Sequence, residues 1–398
     1  MPKKRRSSRN NAPLTLSGLI ILIVIGIYYF LTGNNNPGSV PVGGTPTFVL
    51  PTLTSVSSIP TAVNASGAWW EVYFADPLNI KNPDDWQGSI EGRLIEKINA
   101  AQSSIHIVSF EFDLTPVAEA LIAAKQRGVD VRWVTDDEHG LESDGEPGHG
   151  QFAMLTNAGI EIRSDNRSAL MHNKFWIFDN QIVWTGSTNI TENGIFKQDN
   201  NTIVIQSTAL AAMYEREFQE MWDGQFGPRS PSTLDEQITN VNGSQIVVVF
   251  TSEDPALEQA IIPIVKSATQ SIRFMTFSFT DFPLAEAMIE RSKNGVDVSG
   301  VFERLGSDTE ASELKTLVCA NLPARRDGNP SFMHHKVIVI DERIVVTGSM
   351  NYSTNAEESN DENVIIIDNS EIARLYMQEF ERVWNLGTDP ELDTFACG

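Results

Sequence analysis

Cysteine is nearly missing: the 398 residues contain two, Cys319 and Cys397. That excludes a disulfide-dense scaffold and a cysteine-rich zinc site. Acid is missing from the amino-terminal stretch, where no Asp or Glu precedes Glu71 while Lys3, Lys4, Arg5, Arg6 and Arg9 are basic. Base is scarce elsewhere. From Glu71 onward the remaining 24 Lys and Arg face all 52 Asp and Glu, a net of −28 within a chain of formal charge −23. A body so acidic repels polyanions at long range, which disfavours broad nonspecific nucleic-acid binding but leaves room for a local basic pocket. With 41% hydrophobic and 20% charged residues, the composition is that of a folded protein and excludes global disorder, a collagen-like fibre and a polytopic membrane protein.

After the basic tail of residues 1–13, an uncharged apolar run covers residues 14–31 and reads LTLSGLIILIVIGIYYFL. Its 18 residues are enough for a helix to cross a bilayer. Tyr28 and Tyr29 suit the far interface. A cleaved signal peptide is the rival reading, but its apolar region is usually shorter and the following YYFLTGNNN is a poor cleavage site. The pattern favours a transmembrane signal anchor over residues 14–33, single-pass, with the body on the extracytoplasmic side; a secreted protein is the alternative. Residues 34–68, rich in Gly, Pro, Ser, Thr and Asn and free of charge, read as a flexible linker. Outside the cytoplasm Cys319 and Cys397 can pair and pin the carboxy-terminal tail, or remain one buried and one exposed thiol. Both readings stay open.

The body repeats itself. SIHIVSFEFDLTPVAEALIAAKQRGVDV from Ser104 matches SIRFMTFSFTDFPLAEAMIERSKNGVDV from Ser271 without a gap, and MHNKFWIFDNQIVWTGSTN from Met171 matches MHHKVIVIDERIVVTGSMN from Met333. Each copy reads as alternating strands and helices: a strand near Ile105, a helix with Thr115 as N-cap and Pro116 in its first turn, and a stop at Gly128. Asp281, Pro283 and Gly295 play the same parts in the second copy. Phe175–Phe178 and Val337–Ile340 suit buried strands. The triplets Tyr214, Phe218, Trp222 and Tyr376, Phe380, Trp384 lie at spacing four on one helical face and are assigned to core packing. The fold class is α/β, with two duplicated domains over residues 70–236 and 238–398, packed about a pseudo-twofold axis by analogy with symmetric dimers.

Each copy carries His-x-Lys, four residues, then Asp: His172, Lys174, Asp179 and His334, Lys336, Asp341. Each continues into Gly-Ser-x-Asn, with Ser187 and Asn189 in one copy and Ser349 and Asn351 in the other, so the motifs span residues 172–189 and 334–351. On a strand, the histidine and lysine of each pair share a face. Two imidazoles, two ammonium groups and neutral donors form a cradle for a phosphodiester. One neutral imidazole can attack phosphorus while the other, protonated, donates to the leaving oxygen. Two structural histidines in a core would not explain Lys and Asn repeated at fixed spacing.

These residues resemble the paired HKD motifs of the phospholipase D superfamily, and the resemblance covers most of the chain from about residue 70. It implies two α/β/α sandwich domains and a covalent phosphohistidine intermediate, with no metal or cofactor. It assigns His172 as nucleophile and His334 as general acid/base. The catalytic set is completed by Lys174, Asp179, Lys336 and Asp341, the two aspartates mainly structural, holding the site through ion pairs or hydrogen bonds. Ser187, Asn189, Ser349 and Asn351 form the phosphate-binding set, the serines in support. In the superfamily a downstream carboxylate or amide orients each histidine. The second copy offers Glu362, 28 residues after His334, and the first offers Asn200 at the equivalent place, with Asp199 and Asp361 as neighbours. A carboxylate partner favours imidazolium, so this asymmetry fits His334 as the protonated acid and His172 as the neutral nucleophile. His335 faces away from the site, His106 has no histidine counterpart, His149 would line the entrance, and Asp136, Asp137, Glu138 and His139 read as a solvated loop near the site.

The superfamily includes phospholipases D, cardiolipin and phosphatidylserine synthases, cardiolipin hydrolases, nucleases and tyrosyl-DNA phosphodiesterases. An anchor near lipid headgroups and an acidic body favour a phospholipid membrane as substrate partner, with transfer to an alcohol as a companion reaction. Nucleic acid is the alternative substrate, and a catalytically dead, membrane-tethered binding module is the third reading. A cardiolipin synthase would more often carry two amino-terminal membrane helices. No obligate protein partner is evident.

Overall fold

In the computed structural model the described residues are 61–232, 237–391 and 397. The apolar run at residues 14–31, and with it the expected anchor and most of the linker, lies outside the described residues. Among the described residues no helix is long and apolar enough to cross a membrane.

Each repeat builds one eight-stranded mixed sheet. The first comprises β1 (Ala65–Ser66), β2 (Trp70–Phe74), β3 (Ser104–Ser109), β4 (Asp130–Thr135), β5 (Glu161–Ser164), β6 (Lys174–Phe178), β7 (Ile182–Gly186) and β8 (Asn201–Gln206), in the order β1-β2-β8-β7-β6-β3-β4-β5. The second comprises β9 (Ile238–Val241), β10 (Ser244–Thr251), β11 (Ser271–Thr276), β12 (Asp297–Phe302), β13 (Ala324–Arg326), β14 (Lys336–Ile340), β15 (Ile344–Gly348) and β16 (Glu362–Asp368), in the order β13-β12-β11-β14-β15-β16-β10-β9. The orders correspond strand for strand. β3, β4 and β5 run parallel and the hairpin β6–β7 antiparallel, with β11, β12, β13 and β14–β15 repeating the scheme.

The apolar runs at β6 and β14 are continuous because both faces are covered. Period-two alternation then divides them. Phe175 and Ile177 join Val337 and Val339 in a central core shared by the two repeats, while Trp176 and Phe178 enter an outer core of the first repeat and Ile338 and Ile340 the matching core of the second. The helices Thr208–Trp222 and Ser370–Leu386 contribute Tyr214, Phe218, Tyr376 and Phe380 to the central core, as their spacing predicts. The helix after β3 spans Thr115–Gln126, so Thr115 is its first helical residue; Leu114 occupies the N-cap and supplies no side-chain bond. Asp281 does cap its counterpart, accepting from Leu284 N.

The repeats exchange backbone bonds directly. His172 N donates to Asp361 O at 2.9 Å, and His334 N donates to Asp199 O at 2.8 Å. Each motif histidine is therefore fixed by the other repeat. Cys319 and Cys397 are joined in a disulfide, which resolves the alternative left open by the sequence.

Candidate active site

His172 and His334 precede β6 and β14 and lie almost fully buried between the repeats. His172 Nδ1 donates to Glu362 Oε2 at 2.6 Å. His334 Nδ1 donates to Asn200 Oδ1 at 2.9 Å and is 3.2 Å from Ser187 O. The orienting residues are those expected, but each serves the histidine of the opposite repeat. This corrects the pairing of Glu362 with His334, and with it the argument that a carboxylate holds His334 as imidazolium. Asp199 and Asp361 are engaged elsewhere, by Arg382 at 2.5 Å and by Arg167. With Nδ1 occupied in both rings, Nε2 is the nitrogen left for chemistry.

Lys174 and Lys336 open their strands, and each Nζ donates at 2.9 Å to the carbonyl of its own motif histidine. Phe110 and Phe277, equivalent residues of the two repeats, wall the site: their ring centroids lie 4.9 Å from His172 and 4.7 Å from His334, and 5.0 and 4.7 Å from the two ammonium groups. The electrostatics follow from packing cations together out of water. Burial first, and then both lysines, hold His172 and His334 well below the usual imidazole range. Lys174 is brought down to about 8 by burial, opposed by Glu362 and Glu111, and Lys336 is held well below the usual range by burial and then by Lys174. Burial pushes Glu362 up to about 7, with Lys174 the strongest opposing influence. Such a site is poised to take up an anion, which would restore proton affinity to every cation in it.

The Gly-Ser-x-Asn segments divide their labour. Gly186 has φ of 145°, and a Cβ there would fall 2.3 Å from Asn201 O, so only glycine lets β7 pass so close to β8; Gly348 repeats this against Asn363. Ser187 is fully buried, donates to Asn200 Oδ1 at 2.8 Å and accepts from Asn201 N. Ser349 accepts from Asn363 N and also bonds Glu362. Both serines hold the residues that orient the histidines, which corrects their placement in the phosphate-binding set. Asn189 Nδ2 donates to Glu111 Oε2 at 3.0 Å, and the buried Oδ1 atoms of Asn189 and Asn351 have no hydrogen-bond partner.

Asp179 and Asp341 lie at the opposite end of their strands, in the β6–β7 and β14–β15 turns. Asp179 accepts from Gln102 N, Ser103 N, Ser103 Oγ and Ser104 N, and Asp341 from the equivalent Thr269, Gln270 and Ser271. They pin the start of β3 and β11 and do not meet the histidines, which agrees with a mainly structural role but corrects their inclusion in the catalytic set. Asp136 is likewise no solvated residue: it is 1% exposed and accepts from Met171 N, just as Glu303 accepts from Met333 N. His335 faces away as expected, bonded to Asn201 and Glu379, and His106 stacks on Phe218. His149 N donates to Glu146 O within its own loop.

Glu111 and a buried network escaped the sequence reading, which placed His139 only in a loop near the site. Glu111 and His139 sit beside the site, His139 with its ring 4.9 Å from Phe110 and close enough to influence His172. Behind the histidines a buried network links the repeats. Asn363 Oδ1 accepts from Thr185 Oγ1 at 2.8 Å while its Nδ2 donates to Asn173, and Asn201 Oδ1 accepts from Thr347 Oγ1 at 2.8 Å and Tyr376 OH at 3.1 Å.

Residues 94–222 and 261–384 match the family described as cardiolipin synthase, PLD-like domain, one complete motif falling in each span. Human mitochondrial cardiolipin hydrolase is 35% identical over 118 residues, which are 30% of this chain and 47% of the hydrolase. The phospholipase D of Rickettsia prowazekii is 31% identical over 144 residues, 36% of this chain and 69% of its own. The chain spans about half the length of the cardiolipin hydrolases it matches. The crystal structure of Haemophilus influenzae phosphatidylserine synthase is alike in fold, with a TM-score of 0.59 at 15% identity over 77% of this chain and 89% of the synthase. The chain belongs to the phospholipase D superfamily.

Proposed function

We propose that the chain is a phosphodiesterase that hydrolyses glycerophospholipids through a phosphohistidine on His172, with His334 as general acid and base. The 2.6 Å bond from His172 Nδ1 to Glu362 Oε2 carries this reading. A carboxylate at Nδ1 raises the electron density at Nε2 and balances the positive charge of a phosphorylated imidazole, whereas the neutral amide of Asn200 leaves His334 a stronger acid once protonated. Nε2 of His172 attacks phosphorus, the bond from phosphorus to the leaving oxygen breaks, and His334 gives that oxygen its proton. Water then loses a proton to His334 and attacks phosphorus, and the P–N bond breaks. Lys174 and Lys336 stabilise the charge on the phosphoryl oxygens in both steps.

The lipid substrate is supported by the names of the relatives, cardiolipin hydrolase and phospholipase D, by the acidic body and by the basic-flanked apolar run at residues 14–31. The same run supports a membrane-anchored protein with its body outside the cytoplasm, and the Cys319–Cys397 disulfide suits an oxidising compartment. The test is to give the full-length chain phospholipid vesicles and, separately, single-stranded DNA, beside His172→Ala. Phosphatidic acid release, lost in the variant, is the expected result. DNA cleavage with untouched lipid would overturn the lipid reading in favour of a nuclease.

A further inference from the structure

Three carboxylates from the two repeats converge at a second place. Glu217 and Glu220 share one face of the helix Thr208–Trp222, being three residues apart. Glu253 follows β10 in the second repeat. One oxygen from each lies within 4.8 Å of the other two. Glu217 is 3% exposed, and Oε2 of Glu217, Oε2 of Glu220 and both oxygens of Glu253 are buried without a hydrogen-bond partner. Asp254 and Asp361 add negative charge nearby. Arg216 opposes it at Glu220 and Glu253 without hydrogen-bonding any of the four oxygens.

Buried carboxylate oxygens with no donor are costly, and only a proton or a cation relieves them. We propose that Glu217, Glu220 and Glu253 bind one divalent cation of calcium's size and so fasten the first repeat to the second. The donors are all oxygen, which suits a hard cation, and bonds of about 2.3–2.6 Å let Ca²⁺ bridge oxygens so spaced, with water completing its six to eight ligands. None of the three carboxylates belongs to the proposed chemistry, and the test reads metal content and stability, not turnover. The other acidic group, Asp136, Asp137 and Asp165, does not compete, since Asp136 and Asp165 already accept backbone N–H bonds from Met171, His139 and Asp137.

Burial and then neighbouring carboxylates push Glu253 up to about 9 and Glu217 well above the usual range. Binding must release protons, so affinity rises with pH.

The experiment titrates CaCl₂ into the EDTA-treated, dialysed full-length chain and follows bound metal and thermal unfolding. The expected result is one Ca²⁺ per chain, binding in the range of about 10⁻⁴–10⁻³ M. Binding tightens at least about tenfold from pH 6 to pH 8, and Tm rises by about 3 °C at 10 mM Ca²⁺. Glu253→Gln combined with Glu220→Gln, both partly exposed positions, should abolish the binding and the shift. No bound Ca²⁺ at 10 mM, or binding undiminished in the double variant, would overturn the site in favour of a cluster kept neutral by protons. Should the double variant fail to fold, Tb³⁺ luminescence excited through tryptophan in the unmodified chain decides: Ca²⁺ must displace the signal stoichiometrically, and a signal that Ca²⁺ leaves in place overturns the proposal.

Discussion

His172 Nδ1 meets Glu362 Oε2 at 2.6 Å across the junction of the two repeats, 190 residues apart in the chain. The matching contact of His334 is to the amide of Asn200. The two histidines are thus alike in burial and unlike in partner, and the first set of predictions rests on that difference.

Glu362→Gln should lower kcat by about 10²-fold with a smaller change in KM, because it removes the carboxylate behind the proposed nucleophile, His172. In the unaltered chain the carboxyl of Glu362 titrates at about 7, so kcat/KM should climb as pH rises through that value and the acid limb should vanish in the glutamine variant. Stability runs the other way. A carboxyl whose folded pKa lies above its unfolded 4.5 binds its proton more tightly in the native state, so its contribution is full below 4.5 and lost as pH rises through about 7. The variant should therefore be no less stable than the parent at pH 8 while being far less active; a variant that is merely unfolded would show the opposite order.

Asp179→Ala and Asp341→Ala should each cost about 1–3 kcal/mol of stability by leaving backbone N–H groups of the β3 and β11 starts unpaired. Their kcat should match the parent's at temperatures where they are folded. Both carboxylates are held below the usual 3.8 by these N–H groups, so their contribution is present above 3.8 and fades as the solution is acidified through their lower folded values. Denaturant unfolding beside a turnover assay checks both parts, and a fully folded Asp179→Ala without activity would return that residue to the chemistry.

Reduction, or the paired change of Cys319 and Cys397 to Ser, should lower Tm and leave turnover intact, since the disulfide ties two points 78 residues apart and neither is at the site. Chain-entropy arguments set the loss at no more than about 4.5 kcal/mol. Thiol titration of the unreduced, denatured chain should find no free cysteine.

Asn363→Ala and Asn201→Ala should each destabilise by about 1–3 kcal/mol, because each leaves buried hydroxyl and amide groups of the opposite repeat unpaired. The double variant should cost less than the sum, as both side chains belong to the buried junction between the repeats.

The two α/β repeats and their buried strands were legible because the apolar patterning occurs twice, and agreement between copies filters chance. The same filter hid what occurs once. Glu111 aligns with Ser278 and His139 with Gly306, so comparing the copies gave no reason to single out either acid or imidazole. The crossed partners of the histidines were illegible for another reason. The interval of 28 residues from His334 to Glu362 measures position within a repeat, and packing about a twofold exchanges partners without altering any interval. The serines were read as supports, and burial shows how: Ser187 is held against Asn200 and Ser349 against Asn363.

The exchange of partners has a consequence for symmetry. Two identical subunits related by a twofold axis must present the same residue at equivalent points. Built that way, both histidines would face a carboxylate or both would face an amide, and neither could be told from the other before substrate arrived. Carrying both repeats on one chain lifts that constraint, so Glu362 can stand behind one ring and Asn200 behind its twin. A dimer assembled from either repeat alone would bring back identical rings, and with them the loss of any built-in distinction between the two imidazoles.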